Sequence, residues 1–271
     1  MKKKTLCFTG LVFCFMFQCL WLFSQNSTEA RPYGEQNLIE DFLCSEVVYP
    51  ENELKQGIEG KVVISFTIDK DGSVSKVQVR EKVNPDLDRE AVRLFRMILW
   101  EPATSFGQPV ESTREFPISF NIKKYNKHCK TRGYITSSYP YTPVDTSLQV
   151  YEYSQADKKP YPIFEEKDMK LGMFIAKNIR YPETAYRQNL SGKVSLKFVV
   201  EPTGRVSNIR VINPVGGGCT QEAIRLLGMI KWMPAIENQK AVRSFMNLDI
   251  EFKLPEDSDM NIFENSQMNS N

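Results

Sequence analysis

The sequence predicts an α+β protein of two tandem domains, each a three-stranded antiparallel sheet with a helix packed on one face. The first observation is an internal repeat: a shift of 132 residues aligns 49–122 with 181–254 without a gap, and 26 of the 74 paired positions are identical. A period this long indicates two copies of a domain, not a solenoid. The second observation is the hydrophobic period, which changes within each copy and predicts the order strand, strand, helix, strand.

The first two strands of each copy are predicted to form a hairpin. Apolar residues alternate with polar or small ones on both sides of a turn, at 62–68 and 74–79 in the first copy and at 194–200 and 206–211 in the second. Gly72 and Gly204 supply the positive φ that a tight turn needs. One face of each hairpin is therefore expected to be core.

The helix of each copy is predicted from apolar residues at three- and four-residue spacing, from Ala91 to Ile98 and from Ala223 to Ile230. Pro102 and Pro234 are expected to end these helices. The tryptophans two residues before the prolines, Trp100 and Trp232, are predicted to pack in the core rather than to contact a partner.

The last strand of each copy alternates again, at 116–120 and 248–252. In a sheet of three strands in this order the last strand lies at an edge. An edge strand offers unpaired N–H and C=O groups to another chain, so this edge is the candidate binding site.

The ordered motifs resemble the C-terminal domain of TonB, the energy transducer of Gram-negative envelopes. Both copies carry Tyr-Pro, Gly-Lys-Val, Gly-x-Val, Glu-Ala, Trp-x-Pro-Ala and a terminal apolar strand, in that order. The second copy also has the run Gly216-Gly217-Gly218-Cys219, where the first has Asn84-Pro85-Asp86-Leu87. The two copies cover about two thirds of the chain.

The resemblance implies where a partner binds. In TonB-like domains the segment at the domain entrance and the last strand receive a short peptide of an outer-membrane transporter, which adds as a strand. Carried over, the partner-binding residues are Arg180, Tyr181, Pro182, Asn247, Leu248, Asp249, Ile250, Glu251, Phe252 and Lys253, with Tyr49 and Pro50 in the first copy. A residue before proline favours an extended conformation, so both Tyr-Pro pairs predict an extended entrance. The second copy is the better candidate binder.

No catalytic, cofactor or metal site is predicted. The only histidine, His128, lies outside both repeats, so a serine or cysteine nucleophile lacks a base. The glycine run lacks the spacing of a phosphate-binding loop and predicts a turn. Glu90 and Glu222 recur at equivalent positions, and a structural role near the surface is expected for them. The chain is therefore predicted to be non-enzymatic, with no small-molecule substrate.

Residues 1–25 predict a signal peptide or an N-terminal membrane anchor, because three lysines precede an apolar run from Leu6 to Phe23. Cleavage would leave a periplasmic protein, whereas a retained run would anchor it in the inner membrane. The other predicted segments are domain 1 at 36–122, a linker at 123–160, domain 2 at 161–255 and a polar tail at 256–271.

The predicted linker has no helical or strand period, and its tyrosines and prolines allow an extended segment that packs on a domain. The basic residues between Lys123 and Arg132 are interpreted as a solvated surface. The whole chain has 35 basic and 33 acidic side chains, a balance that argues against nucleic acid as a partner.

Three cysteines remain beyond the apolar run. Cys44 and Cys129 flank the first copy, and either a disulfide or two separate thiols is consistent with export. Cys219 aligns with Leu87, which predicts packing rather than reactivity.

The predicted function is peptide binding by strand addition to an outer-membrane transporter, in TonB-dependent transport or energy transduction. The alternative is a periplasmic structural or adaptor protein whose domains associate with other proteins or form a homodimer, without powering transport. The apolar run lacks the histidine typical of TonB anchors, which counts against proton-motive coupling in the usual TonB manner.

Overall fold

The computed structural model describes residues 27–132 and 143–254. They fall into two compact units, each with one copy of the repeat: unit 1 contains 27–33 and 44–132, and unit 2 contains 34–43 and 143–254. The predicted signal and the polar tail lie outside the described residues. Among the helices within 27–132 and 143–254, none has the length and apolarity needed to cross a membrane.

The elements of the first half of the chain are, in order, β1 (Ser27–Thr28), β2 (Arg31–Pro32), α1 (Gln36–Glu46), α2 (Glu51–Gln56), β3 (Gly60–Ile68), β4 (Val74–Glu81), α3 (Pro85–Phe95), β5 (Trp100–Glu101), β6 (Ala103–Ser105), β7 (Gln108–Val110), β8 (Ser112–Phe120) and α4 (Ile122–Arg132). The second half contains β9 (Val150–Tyr151), β10 (Tyr161–Ile163), α5 (Leu171–Asn178), α6 (Glu183–Arg187), β11 (Gly192–Val200), β12 (Val206–Asn213), α7 (Cys219–Met229), β13 (Lys231–Met233), β14 (Ala235–Glu237) and β15 (Lys240–Phe252).

Each unit contains the predicted antiparallel sheet. The strand order is β4-β3-β8 in unit 1. In unit 2 the same order, β12-β11-β15, is extended by β14 and β9, which both pair with β15. The helices α3 and α7 pack on these sheets. The registers are equivalent, since Ile64 pairs with Phe116 and Leu196 pairs with Leu248, 132 residues later in each case. The predicted fold class is confirmed.

The hairpin turns are also as predicted. Gly72 and Gly204 have φ values of 85° and 79°. The N–H of each glycine donates to the carbonyl three residues earlier, and the strands pair on both sides of the turn.

The helices end earlier than predicted, because α3 ends at Phe95 and α7 at Met229. The prolines therefore do not end them. Trp100 instead begins the short strand β5, which pairs with β2, and Trp232 lies in the short strand β13, which pairs with β10. Each partner strand lies about 70 residues upstream. Local periodicity cannot reveal a strand partner so far away in sequence.

The tryptophans pack in the core, as predicted. Trp232 is 1% exposed and its ring lies 5.3 Å from that of Phe198. Trp100 is also buried, with its ring 4.6 Å from that of Phe66.

The segment predicted as a linker contains structure at both ends. Its first residues belong to α4, where no helical period was expected, and the buried Tyr125 packs 5.3 Å from the ring of Tyr49. Residues 133–142 lie outside the described part. Residues 143–160 belong to unit 2 and include β9 and a turn at 153–155.

The cysteines differ in environment. Cys44 and Cys129 are half-buried thiols that no disulfide joins. Cys219 is fully buried, and burial raises the pKa of its thiol, with the nearby Glu222 adding to the rise. The predicted packing role of Cys219 is confirmed.

Candidate peptide-binding edge

Side chains of the last strand of unit 2 alternate between core and solvent. Leu248, Ile250 and Phe252 are buried and complete the hydrophobic core. The other predicted binding residues of this segment, Asn247, Asp249, Glu251 and Lys253, are exposed. A partner strand could therefore contact the main chain of β15 and the exposed side chains, but not the buried ones.

The exposed side chains carry both signs of charge. Lys193 Nζ lies 3.0 Å from Asp249 Oδ2, and Lys253 Nζ lies 3.0 Å from Glu251 Oε2. A hydrogen bond from Ser195 and the Lys193 ammonium hold the pKa of Asp249 below its usual value. Asp249 is therefore ionised at neutral pH, and this face of the sheet is polar.

Backbone hydrogen bonds show which residues of β15 point away from β11. The Ala241 N–H donates to the Pro143 carbonyl at 2.8 Å, and its carbonyl accepts from the Asp145 N–H at 2.9 Å. Residues two apart in a strand direct their N–H and C=O groups to the same side. Since β15 pairs with β11 without a register shift, the main-chain groups of Asn247, Asp249 and Glu251 also point outward.

The outer side of β15 is covered only at its beginning. Arg243 and Ser244 pair in parallel with Val150 and Tyr151 of β9. Beyond Ser244, no strand within the described residues pairs with this side of β15. We call the outer side of residues 247–253 the acceptor edge.

Two parts of residues 143–151 pair with this side of β15: Val144 forms an isolated parallel bridge with Ala241, and β9 pairs with Arg243 and Ser244. Together they are here called the linker strand. Arg243 holds it, since its Nη1 donates to the Leu148 carbonyl at 3.1 Å. Arg243 is itself buried and pairs with the buried Glu201 at 2.9 Å. Tyr151 packs on a small core of Ala156, Ala235 and Val242. This side of β15 thus accepts an extended segment through ordinary main-chain pairing.

The tyrosine of each Tyr-Pro pair packs against the last strand of its unit. Tyr181 donates its hydroxyl to the Leu190 carbonyl at 2.5 Å, and its ring packs edge-on against Phe252 at 5.9 Å. Tyr49 does the same with Ile58 and Phe120, at the same two distances. Burial, with a smaller contribution from nearby glutamates, raises the pKa of Tyr49 to about 12; burial also raises the pKa of Tyr181.

The prolines that follow are extended, with ψ of 138° for Pro50 and 134° for Pro182, as predicted. Each of them precedes a short helix, α2 or α6, that was not predicted. The structure thus brings Tyr181 to the end of the last strand, while the Arg180 side chain remains exposed.

Glu222 joins the segment that leads into unit 2 to helix α7. Its carboxylate accepts the Arg180 N–H at 2.7 Å and two N–H groups of Arg225, and Arg225 also donates to the Asn178 carbonyl at 2.7 Å. Burial alone would raise the pKa of Glu222, but the hydrogen bonds from Arg225 and Arg180 outweigh it, so the pKa lies below its usual value.

Glu90 makes the equivalent contacts in unit 1: it accepts the Val48 N–H at 2.7 Å and pairs with Arg93. Both glutamates are 8% exposed, so the surface position expected from the sequence is wrong. The signal that could have indicated burial is the repeat itself, since Glu-Ala-x-Arg recurs in both copies.

The glycine run forms a turn, as predicted. Gly217 and Gly218 have φ values of 65° and 95°. A Cβ at Gly217 would lie 2.7 Å from Ala185 Cα, so the turn approaches α6 at a distance that only glycine allows. Within 27–132 and 143–254, no group of three or more His, Cys, Asp or Glu side chains could hold a metal ion.

The fold defines a class: a protein of tandem strand-strand-helix-strand domains, each ending in a strand whose outer side is covered at most in part by the described chain. The family model for the Gram-negative bacterial TonB protein C-terminal matches residues 45–122 and 177–254, more than half of the chain. The chain belongs to this family, which confirms the resemblance found in the sequence.

Individual relatives match over part of their length. The chain is 36% identical to protein TonB of Pseudomonas aeruginosa over 78 residues, which are 28% of this chain and 23% of that protein. Among solved structures, the TonB C-terminal domain of Pseudomonas aeruginosa is 28% identical and aligns over 35% of this chain and 87% of its own, with a TM-score of 0.26. The domain from Helicobacter pylori is 26% identical over 31% and 78%, with a TM-score of 0.24.

Proposed function

We propose that this chain is a non-enzymatic envelope protein that binds an extended peptide of an outer-membrane transporter by strand addition at the acceptor edge, and so takes part in TonB-dependent transport. Family membership supports a TonB-related role in the envelope. The export expected from residues 1–25 would place both units in the periplasm, where such a peptide is accessible.

The observation that carries the proposal is the pairing of β15. Its outer side accepts the linker strand over Ala241–Ser244 and then continues for several residues that no strand of the described chain covers. An extended peptide could continue along this side by the same main-chain hydrogen bonds. Affinity would then come from the backbone, and specificity from Asn247, Asp249, Glu251 and Lys253 on the exposed face.

The test is a crosslinking pull-down from outer-membrane extract with the full-length chain. Asp249→Pro removes one outward N–H and places a ring at the acceptor edge, whereas the control Asp249→Ala removes the carboxylate and keeps the N–H. We expect transporters to be recovered with the wild-type chain and with Asp249→Ala, and to be lost with Asp249→Pro.

Recovery of only this chain or of soluble envelope proteins would contradict the transport role. It would favour the adaptor or homodimer alternative, in which the same edge pairs with a second copy or with another periplasmic protein.

A further inference from the structure

The two copies differ at outward positions of β15 and of the strands that correspond to it in unit 1, β7 and β8. In unit 2, Ala241 and Asp249 occupy two of these positions. The residues 132 earlier in unit 1 are Pro109 and Pro117, and both are exposed. A proline has no N–H, and its ring fills the space where a neighbouring strand would approach.

The registers show that these positions are equivalent. Val63 pairs with Pro117 as Ser195 pairs with Asp249. The ladder between β3 and β8 runs over nine residue pairs without a shift, so Pro117 fits only with its ring directed away from β3.

Pro109 shows the same relation. It pairs with Thr104 as Ala241 pairs with Ile236. In unit 2 the Ala241 N–H donates to the Pro143 carbonyl and so holds the linker strand. At the corresponding position of unit 1 this donor does not exist.

We infer that each chain accepts one added strand, on unit 2, and that Pro109 and Pro117 close the corresponding edge of unit 1. This inference rests on the proposed function and adds to it the number and the location of the sites. Proline on an edge strand is a known protection against strand addition. Unit 1 needs such protection because, within the described residues, β8 pairs only with β3.

The consequence is that the two units have different roles although they share a fold. Unit 2 binds the extended peptide through outward N–H and C=O groups. Unit 1 offers no acceptor strand. Because both prolines are exposed, replacing them restores the missing donors without altering the core.

The test is a calorimetric titration of the full-length chain with a synthetic peptide that has the sequence of the transporter segment captured in the pull-down. The variants are Asp249→Pro, its control Asp249→Ala, and the double variant Pro109→Ala/Pro117→Ala. Circular dichroism and thermal unfolding establish that each variant is folded.

We expect one peptide per wild-type chain and one per Asp249→Ala chain, since the backbone site remains in this variant even where loss of the carboxylate changes its affinity. Asp249→Pro should weaken binding about tenfold or more, which corresponds to about 1.4 kcal/mol. The double variant should gain a second site, and this site should persist when Asp249→Pro is added.

Two peptides per wild-type chain or no second site in the double variant would overturn the inference and leave the proposed function in place. Unchanged affinity in Asp249→Pro would overturn the inference and also the acceptor edge as the binding site. A wild-type chain that binds no peptide would instead overturn both.

Discussion

At the scale of single residues, two buried glutamates secure the entrances of the two units. Each glutamate joins the backbone of the incoming segment to an arginine one turn later on the same helix. The sequence indicated that these glutamates recur, but it did not indicate their burial, because the N–H groups that they accept lie more than 40 residues away.

Replacing Glu222 should make the stability of unit 2 less dependent on pH. The folded-state pKa of Glu222 lies below its ordinary value of 4.5, so its contribution is present above about pH 4.5 and is lost as the pH falls through the folded pKa. Glu222→Gln should lower the free energy of unfolding by about 1 to 3 kcal/mol at pH 7, because it weakens the hydrogen bonds to Arg180 and Arg225.

Urea unfolding at a series of pH values tests this prediction. The difference between wild type and Glu222→Gln should be constant from pH 7 to about pH 5 and should shrink below pH 4.5. A difference that grows on acidification would contradict the assigned direction of the pKa shift.

Replacing Trp232 tests the packing of the core. Trp232→Ala should destabilise unit 2 by about 3 to 5 kcal/mol, because a large buried ring is lost and a cavity remains. Met173→Ala is the control, since Met173 is 56% exposed. Denaturant titration measures both variants, and a loss below about 1 kcal/mol for Trp232→Ala would refute its core position.

For helices and strands, the sequence predicted those elements that the local spacing of apolar residues determines. The hairpins, the existence of the helices and the alternating last strands follow from the spacing of apolar residues. The helix ends and the short strands β5 and β13 were missed, because their partners β2 and β10 lie far away in the sequence. The helix α4 was missed because, apart from the buried Tyr125, its residues are mainly polar.

Proline substitutions at two adjacent positions of β15 should destabilise unit 2 to different extents. Ile250 directs its backbone toward β11, so Ile250→Pro loses a ladder hydrogen bond and should cost at least about 2 kcal/mol. Asp249→Pro places its ring on the outer side and should cost less than about 1 kcal/mol, as Pro117 is accommodated in unit 1. Equal losses in urea unfolding would contradict the assigned backbone directions.

The glycine turn before α7 should not tolerate a side chain. Gly217→Ala should destabilise unit 2 by at least about 1 to 2 kcal/mol, because of the positive φ and the contact with Ala185. Gly172→Ala is the control, because a Cβ at Gly172 would meet no atom within 4 Å. Thermal unfolding compares the two variants, and equal melting temperatures would show that the turn can relax.

At the scale of the whole molecule, the repeat predicted two similar domains but not the difference between their edges. The binding residues predicted from the sequence in 247–253 remain a prediction. Its physical basis is that alternate residues of β15 direct their backbone groups outward. The coverage of Ala241–Ser244 by the linker strand could not be predicted. Residues 143–151 have no clear strand period, and no motif in them indicates which strand they pair with.

We propose that an extended peptide of a transporter adds to the acceptor edge of unit 2. The most direct measurement places a photo-crosslinking amino acid at Asn247 in the full-length chain in its native cells, and identifies the adducts by mass spectrometry. Glu115, the exposed equivalent of Asn247 in unit 1, is the matched control. We predict transporter adducts from position 247 and none from position 115. Transporter adducts from 115, or none from 247, would contradict the claim.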